Sequence, residues 1–265
     1  MTFDPQFAIN VAYPAANSAY LIQTVPNPPL PGGFALAGAI EADPQQAVAL
    51  MAKTDPKQHV MVNAMLADSN IFGLVAWNPA DKMAIVSFRG TVDVHDWIED
   101  FDAVPVDYVP VAGIGLVHMG FQLVYEHVRK NVGGLLQNQC KGVQKILITG
   151  HSLGAAVAIL SGFDIAKNAV PGSAPDFCTF AGPRAGDPGF AKKFNAAFPV
   201  CNRIVNFMDV VPQVPLPPVY EHVGTEILVH GGFKPLDITF AHRLTTYLAG
   251  LQKLAAPPAS SSTSA

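Results

Sequence analysis

The stretch from Lys145 to Leu160 constrains this chain more than any other. Lys145 to Thr149 is a short apolar run of the kind that forms a buried strand, and Ala155 to Leu160 is a run of good helix formers. Between them stands Gly150-His151-Ser152-Leu153-Gly154, a G-x-S-x-G. Strand, tight turn and helix in that order make a nucleophile elbow, in which a serine sits on a strained backbone at the top of a sheet. The glycines let strand and helix approach closely. The serine hydroxyl then lies at a helix N-terminus, whose free N–H groups favour developing negative charge. A serine that only caps a helix after a tight turn would show the same five letters. The apolar strand before it and the small-residue helix after it favour the nucleophile.

The remaining pattern fits an α/β fold around that elbow. Val60 to Leu66, Ile71 to Trp77 and Met83 to Phe88 read as successive strands, and Gly120 to about Leu136 as a helix. Phe177 to Phe180 and Arg203 to Phe207 repeat the short-strand pattern, with a helix from Pro188 to Phe198 between them. Glu226 to Val229 and His242 to Leu254 read as a last strand and a last helix. Strands alternating with helices from Lys145 onward imply a mostly parallel central sheet with helices on both faces. Upstream, Phe7 to Gln23 reads as a helix interrupted near Pro14, followed by a Pro/Gly loop at 26–33. Pro212 to Pro218 is too proline-dense for helix or central strand. One domain over 1–254 is expected, with a flexible tail at 255–265, AAPPASSSTSA.

Composition narrows the function classes. Half of the 265 residues are hydrophobic and 14% are charged, which suits a large apolar core. A net charge of −4 without a basic stripe argues against a nucleic-acid partner. Cys140, Cys178 and Cys201 lack any C-x-x-C spacing, so neither a zinc ribbon nor a disulfide scaffold is expected. No H-E-x-x-H, Walker A or G-x-G-x-x-G motif is present. No apolar run approaches the length of a membrane span. The first residues show neither a basic n-region nor an apolar h-region, so the default expectation is cytoplasmic, with non-classical export left open.

A nucleophilic serine needs a base, and the base an orienting acid. On folds with this elbow the acid follows the serine and the histidine comes last. Downstream histidines are His222, His230 and His242; downstream acids include Asp164, Asp187, Asp209, Glu221 and Asp237. Asp209 lies just beyond a strand end, where open α/β sheets gather their ligand chemistry. Asp187 most simply caps the next helix. Position favours Asp209 and His242 without excluding the others.

Several further motifs occur in order. They are Phe88-Arg89-Gly90-Thr91, Asp96-Trp97, Asp100, Val117-His118-Met119-Gly120-Phe121, the elbow, Thr179 to Asp187 (TFAGPRAGD), Asp209-Val210-Val211-Pro212, Tyr220 to Gly224 (YEHVG) and His242 to Tyr247 (HRLTTY). Over residues 60 to 250 the chain resembles the class 3 lipases, the fungal-lipase-like branch of the α/β-hydrolases. The resemblance implies an α/β-hydrolase fold and hydrolysis of carboxylic esters, acylglycerols first among them, with no cofactor. It assigns the triad to Ser152, Asp209 and His242. It makes His222 and His118 structural. It places the oxyanion donors at Thr91 and Leu153, with Asp100 supporting the Thr91 hydroxyl. Ala155 and Ala181 stand where glycine is commoner in that family. The first 58 residues match nothing specific.

Residues 92–104 combine an apolar stripe (Val94, Trp97, Ile98 and Phe101, at i, i+3, i+4 and i+7) with five acids. The resemblance implies a lid that opens at a lipid–water interface. An ordinary helix packing its stripe into the core would show the same spacing, and the chain would then be an esterase of soluble esters. A feruloyl esterase, a phospholipase, an acyltransferase or a hydrolase-fold protein that only binds lipid are the remaining alternatives.

Overall fold

The computed structural model describes residues 3–54, 56–91, 103–235 and 237–256. Val94, Trp97, Ile98, Asp100 and Phe101 therefore lie outside the described residues, as does most of the tail.

Seven described strands form one sheet in the order β1-β2-β3-β6-β7-β8-β9. They are β1 (Ala35–Glu41), β2 (Ile71–Asn78), β3 (Met83–Phe88), β6 (Lys145–His151), β7 (Asp176–Phe180), β8 (Cys201–Asn206) and β9 (Thr225–Val229). A small antiparallel pair, β4 (Pro105–Asp107) with β5 (Leu116–His118), stands apart. β1, β2 and β3 pair antiparallel, and everything from β3 through β9 is parallel. This is the α/β-hydrolase arrangement, with its mostly parallel sheet.

Alternation along the strands divides the core in two. Ala84, Val86, Phe88, Ile146, Ile148 and Phe177 point to one face. There they meet the helices Met119–Gln139, Leu153–Asp164 and Pro188–Ala197. Ile85, Leu147, Cys178, Phe180 and Ile204 point to the other, against the N-terminal helix and the C-terminal helix Leu244–Ala255. A period of two on a sheet covered on both sides produces this sorting.

Three local outcomes differ from the sequence expectation. Val60–Asp68 is a helix, not a strand. Met61, Ala64, Met65 and Leu66 are strong helix formers, and Val62 and Met65, three apart, are buried in the core. Ala35–Glu41 is a strand although only Ile40 in it is β-branched; its pairing with β2 supplies what propensity lacks. The N-terminal helix is not broken at Pro14. It runs as Pro5–Phe7, Ala8–Ala12 and Tyr13–Leu21, and the middle piece is a π-turn in which Tyr13 N–H bonds to the Ala8 carbonyl. That wider turn lets the helix pass a residue without an N–H. Cys140, Cys178 and Cys201 are free and buried. No helix among the described residues is long and apolar enough to cross a membrane.

Candidate active site

Ser152 joins β6 to the helix Leu153–Asp164 with φ 59° and ψ −130°, a conformation L-residues avoid. The surroundings enforce it. A Cβ at Gly150 would strike the backbone of Gly154, and a Cβ at Gly154 would strike the carbonyls of Phe88 and Arg89. Only glycine on both sides permits the turn. Ser152 N–H is tied to the Phe180 carbonyl at 3.0 Å. Its hydroxyl is buried without a hydrogen-bond partner among the described residues.

Asp209, just beyond β8, and His242, at the end of a short helix after β9, meet there. His242 Nδ1 lies 2.7 Å from Asp209 Oδ2, and the Tyr247 hydroxyl donates to the same oxygen at 2.6 Å. The Val211 N–H donates to Oδ1 at 3.0 Å. Burial would raise the Asp209 pKa, but these donors together hold it below the usual carboxylate range. Because the carboxylate only accepts, Nδ1 of His242 carries a proton, and in the neutral ring Nε2 is the nitrogen with the lone pair. Nε2 is buried with no partner among the described residues. The His242 ring stands 4.7 Å, centroid to centroid, from His151, the residue before Ser152.

His242 closes a five-residue helix, Ile238–His242, rather than opening the last one, which starts at Leu244. Asn206, at the end of β8, holds that loop in place. Its amide donates to the Ala241 carbonyl at 2.9 Å and accepts from Gly231 N–H at 2.9 Å.

The Gly90-Thr91 loop lies against the serine: a Cβ at Gly90 would sit 2.9 Å from Ser152 Cβ. Arg89, fully buried, fixes the approach to that loop. It donates to the Ile71 and Gly90 carbonyls at 2.6 and 3.1 Å and pairs with Asp68 at 3.1 Å. The Leu153 N–H opens the elbow helix, where no carbonyl of the helix can reach it.

The remaining candidates have other partners. Asp164 accepts from Arg129 at 2.7 Å and Tyr125 at 2.8 Å, beneath the sheet. Asp187 caps the helix Pro188–Ala197 through Phe190 N–H at 2.7 Å. His118 caps the helix Met119–Gln139 through Gly120 N–H at 3.1 Å, and His222 Nε2 donates to the Pro212 carbonyl at 2.7 Å. Sequence reasoning missed Asn206 and Tyr247. Of these only Tyr247 stood inside a recognised motif, HRLTTY.

Residues 85–218 match the family described as Lipase (class 3). A lipase from Rhizomucor miehei is 34% identical over 171 residues, 62% of this chain and 46% of that protein. Phospholipase A1-II 7 from Oryza sativa subsp. indica is 31% identical over 243 residues, 74% of this chain and 59% of its own length. The chain spans about half the length of the curated relatives it matches. Among solved structures, a triacylglycerol lipase whose catalytic centre is a serine-protease triad aligns with TM-score 0.53 and 33% identity, over 59% of this chain and 60% of that one.

Proposed function

The chain belongs to the class 3 lipase family, and from that premise we propose that it is a serine hydrolase of carboxylic esters, acting on acylglycerols. The observation that carries this reading is the Asp209–His242 pair at 2.7 Å, which keeps a proton on Nδ1, with Nε2 and the Ser152 hydroxyl both buried and without a hydrogen-bond partner among the described residues. Catalytic hydrogen bonds are often completed only once substrate is bound.

In this mechanism Ser152 Oγ attacks the ester carbonyl as His242 Nε2 takes its proton. Asp209, ionised, holds the imidazole in the required tautomer and stabilises the imidazolium. The Leu153 N–H and Thr91, through its N–H and hydroxyl, hold the oxyanion, and Asp100 supports that hydroxyl. His242 then protonates the departing alcohol, leaving an acyl-enzyme on Ser152. Water, deprotonated by His242, releases the acid and the serine. No cofactor enters any step.

Ser152 is fully buried and His242 is 5% exposed. Substrate therefore enters after covering atoms move, which supports a lid, assigned to residues 92–104 with Val94, Trp97, Ile98 and Phe101 as its lipid-facing stripe. Phospholipids are the second substrate class to test, because relatives that cover much of this chain are named phospholipases A1.

The test is hydrolysis of p-nitrophenyl esters from acetate to palmitate, below and above each ester's solubility limit, with a phospholipid in parallel. A steep rise once substrate forms an interface is the expected result. Saturation on dissolved short esters would remove the lid and leave an esterase.

A further inference from the structure

The N-terminal helix reaches the catalytic centre through one side chain. Ala8, Ala12, Ala15, Ala16 and Ala19 are all fully buried, and their small size lets the helix lie close on the sheet. Ser87 Oγ, on β3, donates to the Ala15 carbonyl at 2.9 Å and pins it there. At the far end of this helix the Tyr20 hydroxyl accepts the Gly90 N–H at 2.9 Å. The same hydroxyl lies 2.8 Å from His151 Nδ1, and His151 Nε2 lies 2.8 Å from the main-chain oxygen of His242.

Donor and acceptor roles in this chain are fixed. A carbonyl only accepts, so His151 Nε2 carries the ring proton; Nδ1 is then an acceptor, and the Tyr20 O–H donates to it. The bonds run in one direction, from Gly90 N–H through the Tyr20 hydroxyl and the His151 ring to the His242 carbonyl. Burial first, and the neighbouring His242 second, depress the His151 pKa to about 3, which keeps Nδ1 free to accept. No step of the proposed mechanism uses either residue. Yet one end of the chain holds the peptide before Thr91, and the other holds the peptide that carries the base.

We propose that Tyr20 is a positioning residue: its hydroxyl, acting through His151, sets the spacing between the oxyanion loop at Gly90-Thr91 and the base His242. Both ends must be in register in the transition state, whereas substrate binding in the ground state needs neither. Tyr20 stands outside the 85–218 stretch that matches the family. The inference rests on the serine-hydrolase reading above.

The test compares Tyr20→Phe, which removes the hydroxyl and keeps the ring, with Tyr13→Phe on the same helix and with Ser152→Ala. Rates are taken per active site titrated with a p-nitrophenyl phosphonate, so that unfolded protein is not counted, except for Ser152→Ala, which is taken per mole of protein. Tyr20→Phe should lower kcat about ten- to a hundredfold, the scale of a misplacement of up to about 1 Å, with KM within about twofold and Tyr13→Phe unchanged. A Tyr20→Phe enzyme with wild-type kcat, or one changed only in KM or Tm, overturns the inference. Activity surviving in Ser152→Ala would instead overturn the reading beneath it.

Discussion

At Ala181, directly after β7, the backbone adopts φ 55° with a methyl group in place. Ser152 and Ala181 are two of the three non-glycine residues at positive φ among the described residues, the third being Lys82. At Ser152 the strain lifts a hydroxyl out of the turn. At Ala181 it lifts nothing, and a left-handed alanine costs about 1–2 kcal/mol. Some of that is offset because glycine loses more entropy on folding. Ala181→Gly should therefore raise the stability by about 0.5–1 kcal/mol, read as a higher urea midpoint at unchanged m-value. A lower midpoint would mean that the buried methyl matters more than the torsion. Ala155 has a plainer consequence: a Cβ at Gly182 would sit 2.8 Å from its methyl, so the small residue at one position requires glycine at the other.

At the scale of elements, the legible parts were those in which local pattern and tertiary environment agree. β6 and the helix after it could be read because an apolar run, two obligatory glycines and a small-residue helix all point to one arrangement. Position favoured Asp209 and His242 without excluding the other acids and histidines, since loops beyond parallel strands collect at one edge of the sheet; the family motifs made the choice. Val60–Asp68 misled because alternating Val and Met letters suit a strand as well as a buried helix. Ala35–Glu41 was missed because an Ala/Gly strand is made by its neighbour. The tethers around the site were illegible for a different reason. Tyr20 meets a ring 131 residues away, and Asn206 a carbonyl 35 residues away. No spacing rule reports such contacts, and neither residue type announces a role.

For the whole molecule, three neutral histidines, His118 and His151 buried and His222 half-buried, are expected to set the acid limit. His118, His151 and His222 are each depressed to about 3, in every case by burial first; Arg203 and Arg184 add to the effect at His222. An unfolded chain protonates these rings near pH 6.5. Their contribution is thus fully present above about pH 6.5 and is lost as the pH falls toward 3, where the folded rings finally protonate. Each ring should add a slope of about 1 kcal/mol per pH unit between those limits. His118→Asn keeps a helix-capping side chain and should flatten the curve of urea midpoint against pH. A midpoint that does not change between pH 4 and 6.5 would show that these rings titrate normally in the folded protein.

Covalent labelling reads whether Ser152 is a nucleophile driven by His242 and Asp209. Wild-type protein is treated with a p-nitrophenyl phosphonate and followed by intact mass and peptide mapping. One phosphonyl group per chain, on Ser152, is expected. Ser152→Ala should take none, and labelling should slow on the order of 10⁴-fold or more in His242→Ala and Asp209→Asn, as for groups that act as a unit. Label on another residue, or labelling of His242→Ala at the wild-type rate, would contradict the triad mechanism.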